Sequence, residues 1–473
     1  MQNKDESAPE LSVHPDVDGA IVEKLRQDIT DQAEIIKEQL TELVSYPSVH
    51  GTEETRQACI DAAGAVERMF TDLGITMTAH HTVDGSIALT GERQSTSQSA
   101  KTVLLYSHYD VQPAGAVDEW TTDPWTLDER EGRWYGRGTA DCKGNVVMHL
   151  AALRALLHDD SLAARLPHLK IVVEGSEERG SAGLDHLVKT QPELFHADVI
   201  LIADVGNAAV GQPTLVTTLR GSADVDVRVD ALTQPVHSGM FGGAAPDALA
   251  ALLRILDSLR DEDGHTRIDG LDTTQHWEGA PYDEEAFRGD AGVLDQVGLL
   301  SNDKASVADL TWARPAVTVT GIDCPPATNA VNAIPATAMA HINLRVPGGM
   351  DPAAAQDALE AHLRAHAPWG VKASISRDEL ANPFRANLDS AAVQLVSQSL
   401  AAAYGKETVA MGEGASIPLC ATLLEAVPTA DLALFGVEEP LCRIHSADES
   451  VDPNEIRDIA ISEAVFLTAI NDV

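Results

Sequence analysis

Between residues 102 and 204 the chain alternates short β-type runs of aliphatic residues with segments of helical periodicity. Strands are predicted at 102–107, 169–174 and 199–203, and a helix near residues 145–158 separates the first two strands. This alternation is typical of an α/β domain in which helices flank a mostly parallel sheet. Such a sheet binds ligands beyond the carboxyl ends of its strands, so the residues at those ends are the first candidates for function.

The segments before this region are predicted to be helical. Apolar side chains recur at helical spacing over residues 18–44, which indicates one long amphipathic helix, and a second helix is expected over residues 54–73. No internal repeat and no low-complexity segment interrupts the pattern.

The pattern changes near residue 214. Residues 214–229 alternate polar and apolar side chains, as a strand with one solvated face does. The elements expected after it are a helix at 246–259, a turn-rich stretch to residue 311, strands at 316–320 and 338–346, and a helix at 351–366. The order βαββαβ predicts a separate α+β domain that is inserted into the first. We expect the first domain over residues 1–213 and 381–473, and the inserted domain over residues 214–380.

Charge excludes several classes of partner. The chain of 473 residues has 33 basic and 73 acidic side chains, which gives a formal net charge of −40. A surface this acidic repels nucleic acid and anionic membranes, so neither is expected as a partner. Apolar residues make up 44% of the chain, which is ordinary for a globular protein and argues against wholesale disorder despite the charge.

The cysteines and the N-terminal residues indicate the compartment. The chain has five widely spaced cysteines and no CxxC pair. An odd, dispersed set favours a reducing cytoplasm over a disulfide scaffold or a thiolate zinc cluster. The first residues lack the basic and apolar regions of a signal peptide, and no apolar run approaches 18 residues. We therefore expect a cytoplasmic protein that does not span a membrane.

Polar side chains that can bind metals follow each of the predicted strands. His108 and Asp110 close the first strand, the pair Glu177-Glu178 follows the second, and Asp204 follows the third. Each of these motifs alone is weak evidence for a functional site, because a lone HxD is more often structural and a Glu pair often just begins a helix. Together, in this order and at strand ends, they indicate one shared crevice.

A glycine-punctuated loop, residues 136–144, lies between the first two of these strands and leads into the predicted helix. Its sequence, GRGTADCKG, has neither the GxGxxG nor the GxxxxGK[ST] spacing. We therefore reject a phosphate-binding role for this loop.

With these motifs the sequence resembles the M20 family of metallopeptidases, specifically the dipeptidase branch that includes the carnosinases. The segments that carry the resemblance are SHYDVQP (107–113), GRGTADCKG (136–144), EGSEERGS (174–181), AD (203–204), VHSG (236–239), NAIP (332–335), LRVP (344–347), GASIP (414–418) and His445. They extend over most of the chain in family order. The resemblance implies a catalytic α/β domain with two zinc ions, and an inserted lid domain that mediates dimerisation.

The resemblance also implies the metal ligands. It assigns His108, Asp141 and Asp204 to one metal, and Asp141, Glu178 and His445 to the other, so that Asp141 bridges the two ions. Imidazole and carboxylate ligands suit Zn²⁺ and would also accept Mn²⁺ or Co²⁺.

Two acidic residues take part in the expected catalysis. Asp110 would orient the His108 imidazole by accepting a hydrogen bond from its other nitrogen. Glu177 would be the general base, which takes a proton from the water between the metals and passes it to the leaving amine.

The remaining site residues belong to the segments at and beyond the insertion. His237 matches the histidine that, in dimeric family members, reaches the active site of the partner subunit and helps to hold the oxyanion. Asn332, Arg345 and Ser416 match positions that bind the substrate, above all its C-terminal carboxylate, which the planar arginine fork suits. Without the resemblance, His237 would be read as a turn residue and Arg345 as a surface ion-pair residue.

One departure from the family pattern is visible at Cys142, where relatives usually carry Asp or Thr. A soft sulfur ligand is conceivable there, but we expect a small buried side chain. The resemblance also implies a cis peptide bond between Asp141 and Cys142.

The expected function is metal-dependent hydrolysis of dipeptides by a cytoplasmic homodimer. A single insertion of this length leaves no room for a duplicated lid, so His237 would come from the partner. An amidohydrolase of the same fold that acts on N-acyl amino acids is the alternative, and the SHYDVQP motif with Trp120 and Trp125 favours the dipeptidase. A non-catalytic binding protein is disfavoured because all five inferred ligands and the base are present.

Overall fold

The structure, a computed structural model, describes residues 17–414 and 417–473. Its α-helices are α1 (Gly19–Thr30), α2 (Ala33–Val44), α3 (Arg56–Thr71), α4 (Lys143–Leu157), α5 (Asp160–Ala163), α6 (Ala182–Thr190), α7 (Ser238–Phe241), α8 (Ala248–Asp257), α9 (Glu284–Asp290), α10 (Pro352–Ala365), α11 (Ala391–Tyr404), α12 (Pro418–Ala426) and α13 (Pro453–Ala469).

Its strands are β1 (Thr76–His81), β2 (Ile87–Arg93), β3 (Thr102–His108), β4 (Asp128–Arg130), β5 (Arg133–Tyr135), β6 (His168–Glu174), β7 (Val199–Ala203), β8 (Thr214–Leu219), β9 (Gly221–Asp230), β10 (Val236–His237), β11 (Ala316–Asp323), β12 (Ala333–Ile334), β13 (Thr337–Val346), β14 (Lys372–Ala381), β15 (Phe384–Arg385), β16 (Val409–Glu413), β17 (Asp431–Phe435) and β18 (Ser450–Val451).

The chain forms two compact units. Unit 1 contains the chain up to Thr217, then Ala386–Met411 and Pro418–Val473. Unit 2 contains Thr218–Arg385 and a short segment that begins at Gly412.

The sheet of unit 1 has the strand order β1-β2-β6-β3-β7-β17-β8. Its centre is parallel, since β3 pairs in parallel with β6 and β7, and β17 pairs in parallel with β7. The outer pairs β1/β2, β2/β6 and β17/β8 are antiparallel. The predicted α/β fold with a mostly parallel sheet is therefore confirmed. In this register His108 lies beside Glu174, and Ala203 beside Phe435, so four strands end at the same edge.

Helices cover this sheet through a continuous apolar core. The core joins residues of α1, α2, α3, α4, α11 and α13 to the central strands. Helix α4 is buried over almost its whole length, because it packs on β3 and is itself covered by α2 and α13. A helix enclosed in this way has apolar side chains around most of its circumference, which explains the weak amphipathic pattern of its sequence.

Two of the sequence predictions are wrong in detail. The single helix predicted over residues 18–44 is instead two helices, α1 and α2, with a break at Asp31-Gln32. The Gln32 side chain is buried there, where it donates to the Ala151 carbonyl and accepts from Arg154. These tertiary hydrogen bonds, which no local pattern shows, hold the break in place. Residues 214–229 likewise form two strands rather than one, and β8 is buried on both faces instead of half-solvated.

Unit 2 contains an antiparallel sheet of order β11-β13-β9-β14. One of its faces is apolar and is covered by α8 and α10, which begin at the N-cap residues Asp247 and Asp351. The order β9-α8-β11-β13-α10-β14 is the predicted βαββαβ pattern. The stretch expected to be turn-rich up to residue 311 contains α9 and a helical turn at Asp309–Ala313. In the described part of the chain, every helix is too short or too polar to cross a lipid bilayer.

Candidate active site

Seven predicted site residues lie together at the carboxyl-end edge of the parallel strands in unit 1. His108 is the last residue of β3, and Asp204 directly follows β7. Glu177 and Glu178 begin a short helical turn, Glu177–Arg179, that follows β6. Asp141 closes the glycine loop before α4, and His445 lies in the loop before β18. Asp110 follows β3 by two residues.

The His108 imidazole makes the first cluster. Its Nε2 atom lies 3.1 Å from Asp141 Oδ1, 3.1 Å from Asp204 Oδ1 and 3.9 Å from Glu177 Oε2. His108 is fully buried, so these carboxylates face a ring that is shielded from solvent.

The His445 imidazole makes the second cluster. Its Nε2 atom lies 3.0 Å from Asp141 Oδ2 and 3.3 Å from Glu178 Oε2. The two oxygens of Asp141 therefore face different histidines, one in each cluster. His445 itself has a left-handed backbone (φ +61°), a conformation that is uncommon outside glycine and that is often found at functional sites.

The glycine loop positions Asp141. Gly138 has φ +85°, and a Cβ there would lie 2.8 Å from Val111 Cγ1, so both the backbone and the space require glycine. The buried Glu449 carboxylate accepts hydrogen bonds from the backbone N–H groups of Gly138, Ala140 and Asp141. The peptide bond from Asp141 to Cys142 is cis, as the resemblance implies.

Asp110 connects the two strand ends. Its carboxylate accepts from the backbone N–H groups of Glu177 (3.1 Å) and Glu178 (3.2 Å). His108 Nδ1 lies 3.1 Å from the Asp110 main-chain oxygen and 3.3 Å from its Oδ1 atom. A single buried aspartate thus fixes the imidazole and the turn that carries both glutamates, which is the geometry expected of an orienting residue.

Burial and like charges raise the pKa values of two carboxyls in this site. Burial, with the nearby Asp204 charge, holds the pKa of Glu177 well above its usual range. Burial likewise raises the pKa of Asp204 to about 6, although His108 opposes this shift. A carboxyl group with a raised pKa holds a proton more readily than an ordinary glutamate does.

Hydrogen bonds around Asp141 favour the charged forms of two other groups. Hydrogen bonds to Asp141 and Glu178 raise the pKa of His445 to about 10. Burial would raise the pKa of Asp141, but hydrogen bonds from His108 and His445 hold it below its usual range. Asp141 therefore stays ionised to a lower pH than an ordinary aspartate does.

Two residues that support the site were not among the predicted ones. Gln112 contacts Glu178 twice, from its backbone N–H (3.1 Å) and its Nε2 atom (2.8 Å). Glu449 holds the loop before α4 and also accepts from Arg137 Nη1 (2.7 Å). Gln112 lies inside the SHYDVQP motif, which could have drawn attention to it, whereas no sequence pattern marks Glu449.

Cys142 is buried, as expected, and its thiol donates to the Ala203 carbonyl at 3.1 Å. Its Sγ atom nevertheless lies within 4.8 Å of ligand atoms of His108 and Asp204.

The other predicted residues lie in unit 2 or outside the described residues. His237 and Asn332 are neighbours, since His237 on β10 pairs with Ala333 on β12, and the Ser238 N–H donates to the Asn332 carbonyl at 2.9 Å. Both side chains are exposed. Arg345 lies on β13. Ser416 lies outside the described residues.

The unit 1 residues fit the predicted metals. Nitrogen and oxygen ligands at about 2.0–2.1 Å from a tetrahedral zinc ion lie about 3.3 Å from one another. The contacts of His108 and His445 with their carboxylate partners, 3.0 to 3.3 Å, match that spacing. The carboxylates of Asp141 and Asp204, which both face His108 Nε2, repel one another, and a cation between them would relieve the repulsion.

Comparisons with known proteins agree with this geometry. The sequence profile of Peptidase family M20/M25/M40 matches residues 104–472. The chain is 49% identical to a cysteinylglycine-S-conjugate dipeptidase of Corynebacterium striatum, over 93% of this chain and 96% of the relative. It is 28% identical to the Cys-Gly metallodipeptidase DUG1 of Saccharomyces cerevisiae, over 87% of this chain and 90% of the relative.

A solved structure is similar over almost the whole chain. The crystal structure of human carnosine dipeptidase 1 superimposes with a TM-score of 0.75 at 25% identity, and covers 95% of this chain and 98% of that protein. The family and branch predicted from the motifs are thereby confirmed. The chain belongs to peptidase family M20/M25/M40 and is one of its metallodipeptidases.

Proposed function

We propose that this enzyme hydrolyses the peptide bond of Cys-Gly dipeptides, including S-substituted ones, with two zinc ions bound at the unit 1 cluster. The observation that carries the proposal is the position of Asp141, whose two carboxylate oxygens face His108 and His445 separately. Similarity to two dipeptidases that are named for cysteinylglycine supports the choice of substrate.

The residues divide between two metals in this proposal. His108, Asp141 and Asp204 would hold one ion, and Asp141, Glu178 and His445 the other. Zn²⁺ is our first choice, and Mn²⁺ or Co²⁺ would also suit this donor set. When bound, such ions lower the pKa of water and polarise the scissile carbonyl.

Glu177 moves the proton. We assign it as the base that takes a proton from the attacking water and then delivers it to the leaving amine nitrogen. Its backbone N–H donates to Asp110, and its Oε2 atom lies 3.9 Å from His108 Nε2. Asp110 keeps the His108 ring oriented throughout.

Unit 2 supplies the substrate contacts in this proposal. Arg345, Asn332 and Ser416 would bind the substrate, with Arg345 on its C-terminal carboxylate, and His237 would stabilise the oxyanion. We propose that unit 2 is a lid and dimerisation domain, with boundaries near 213/214 and 380/381, and that the enzyme is a cytoplasmic homodimer. Free cysteines throughout the described chain suit a reducing compartment.

A substrate panel tests the proposed activity. The enzyme is assayed with Cys-Gly, S-benzyl-Cys-Gly, β-Ala-His and N-acetyl amino acids, each in the presence of Zn²⁺, Mn²⁺ or Co²⁺. We expect the Cys-Gly compounds to give the highest kcat/KM and the N-acetyl amino acids to give no turnover. Preference for the N-acetyl amino acids would instead identify an amidohydrolase of the same fold.

Mixed dimers test the role of His237. Glu177→Ala and His237→Ala homodimers should each be nearly inactive. If His237 acts in the partner's site, a hybrid of the two has one site with both lesions and one intact site. Random exchange makes about half of the dimers hybrids, so activity should recover to about a quarter of wild type.

The same experiment contains its controls. His186→Ala changes an exposed histidine on α6 and should leave activity unchanged. Analytical ultracentrifugation and mass spectrometry of tagged subunits establish that hybrids form. Hybrids without recovered activity would mean that His237 acts in its own subunit or has no catalytic part.

A further inference from the structure

The two faces of the unit 2 sheet differ in chemistry. Strands β9 and β13 are antiparallel, and in their register Arg345 lies opposite Ser222. Arg220 directly precedes β9, and the next residue, Gly221, lies opposite Val346, the neighbour of Arg345. Arg220 is therefore placed beside the end of β13 that carries Arg345, which is itself on the face that the helices leave uncovered.

Arg220 has few partners of its own. Its Nε atom donates to the Gly414 carbonyl at 3.3 Å. A Cβ on Gly414 would lie 2.8 Å from Arg220 Nη2, so the guanidinium packs directly on the Gly414 backbone. Among the described residues, neither terminal nitrogen of Arg220 has a hydrogen-bond acceptor, and no carboxylate lies within ion-pair distance.

An acidic residue on this face of the sheet, Asp224, has other partners. The Asp224 carboxylate accepts from Ser222 Oγ at 2.7 Å and from Asn343 Nδ2 at 2.9 Å and 3.0 Å. Burial, together with the charge of Arg345, lowers the pKa of Arg220 to about 10. Arg220 has no counter-ion among the described residues, so an anion would stabilise its half-buried charge beside a second cation.

We infer that Arg220 is a second arginine of the substrate site, and that it binds, with Arg345, the free C-terminal carboxylate of the dipeptide. The inference rests on the proposed function. The planar forks of two guanidinium groups can each pair with a carboxylate, and Nη1 and Nη2 of Arg220 have no other acceptor among the described residues. The bond from Nε to Gly414 fixes the fork, so little entropy is lost when the anion binds.

The test compares an acid with its amide. Metal-loaded wild type, Arg220→Gln and Arg220→Lys are assayed with Cys-Gly and with Cys-Gly amide. For Arg220→Gln we expect kcat/KM to fall roughly 10- to 100-fold on the acid and less than about 3-fold on the amide, because only the acid loses a charge-assisted pair. Arg220→Lys should recover part of the loss on the acid, mainly through KM.

The control is Arg228→Gln. Arg228 lies on the same strand, β9, but is exposed and paired with Asp230 at 3.1 Å, so its loss should affect neither substrate. Equal losses on acid and amide, or no loss at all, would show that Arg220 only supports the Gly414 backbone, and would overturn the inference. Absence of dipeptide turnover in the wild type would instead remove the proposed function, and the inference with it.

Discussion

Replacing Glu177 with glutamine should lower kcat by about 10²- to 10⁴-fold, the usual contribution of a general base, while metal content stays at the wild-type level. Glutamine keeps the size of the side chain and loses only the ability to take a proton. The Glu177 backbone N–H, which holds the turn through Asp110, is unaffected. The expected fall is measured by steady-state kinetics on Cys-Gly, with elemental analysis of the same preparation.

Glu178→Gln is the matched control, because the two glutamates are adjacent and differ in their contacts. Glu178 Oε2 lies 3.3 Å from His445 Nε2, whereas Glu177 Oε2 lies on the His108 side at 3.9 Å. Loss of Glu178 should therefore weaken metal occupancy at one site, and added metal should restore part of the activity. If Glu177→Gln loses metal and Glu178→Gln retains it without activity, the roles within the pair are reversed.

The contacts of this glutamate pair also show how far the sequence alone reaches. Strand periodicity placed His108, Glu178 and Asp204 at the ends of parallel strands, and the parallel register then brings those ends to one edge. Local sequence patterns suffice for this step, because a short aliphatic run and its polar end are both encoded within about ten residues. His445 is different, since it lies in a loop far along the chain and was found only through the family resemblance.

Features that depend on tertiary contacts were missed for a physical reason. Glu449 is separated by more than 300 residues from the loop whose N–H groups it binds, and no periodicity links the two. The break between α1 and α2 depends in the same way on the hydrogen bond from Gln32 to α4. Strand β8 was expected to have a solvated face because its threonines look polar, yet Thr217 and Thr218 are buried and donate to backbone carbonyls.

Removing the metals should abolish activity altogether, since no other group in the described site could polarise the scissile carbonyl as strongly. After dialysis against a chelator, about two equivalents of Zn²⁺ per chain should restore turnover, because Asp141 is shared by two clusters. The melting temperature should rise as well, since a ligand that binds only the folded state stabilises it, by about 2.7 kcal/mol at a hundredfold excess over Kd.

Two variants separate this centre from other metal-capable groups. The His445→Ala variant should bind about one equivalent of Zn²⁺ per chain fewer than the wild type. His366→Ala removes a histidine from the cluster with Asp269 and His362 in unit 2, and should leave the stoichiometry unchanged. His362 Nδ1 already accepts from the Asp269 N–H at 3.0 Å, so its lone pair is occupied. Full activity in a preparation verified as metal-free would contradict the whole mechanism.

The affinity for Zn²⁺ should depend on pH, because metal binding releases protons from the ligands. In the metal-free protein His445 has its pKa raised to about 10, so it is protonated at neutral pH and must lose that proton before its nitrogen can bind a metal. Asp204, with a pKa raised to about 6, also becomes protonated as the pH falls below that value. Both effects oppose metal binding in acid, so Zn²⁺ affinity should fall steadily between pH 8 and pH 5. Calorimetry in buffers of different ionisation enthalpy should show protons released at pH 7, and binding without proton release would mean that His445 is not a ligand.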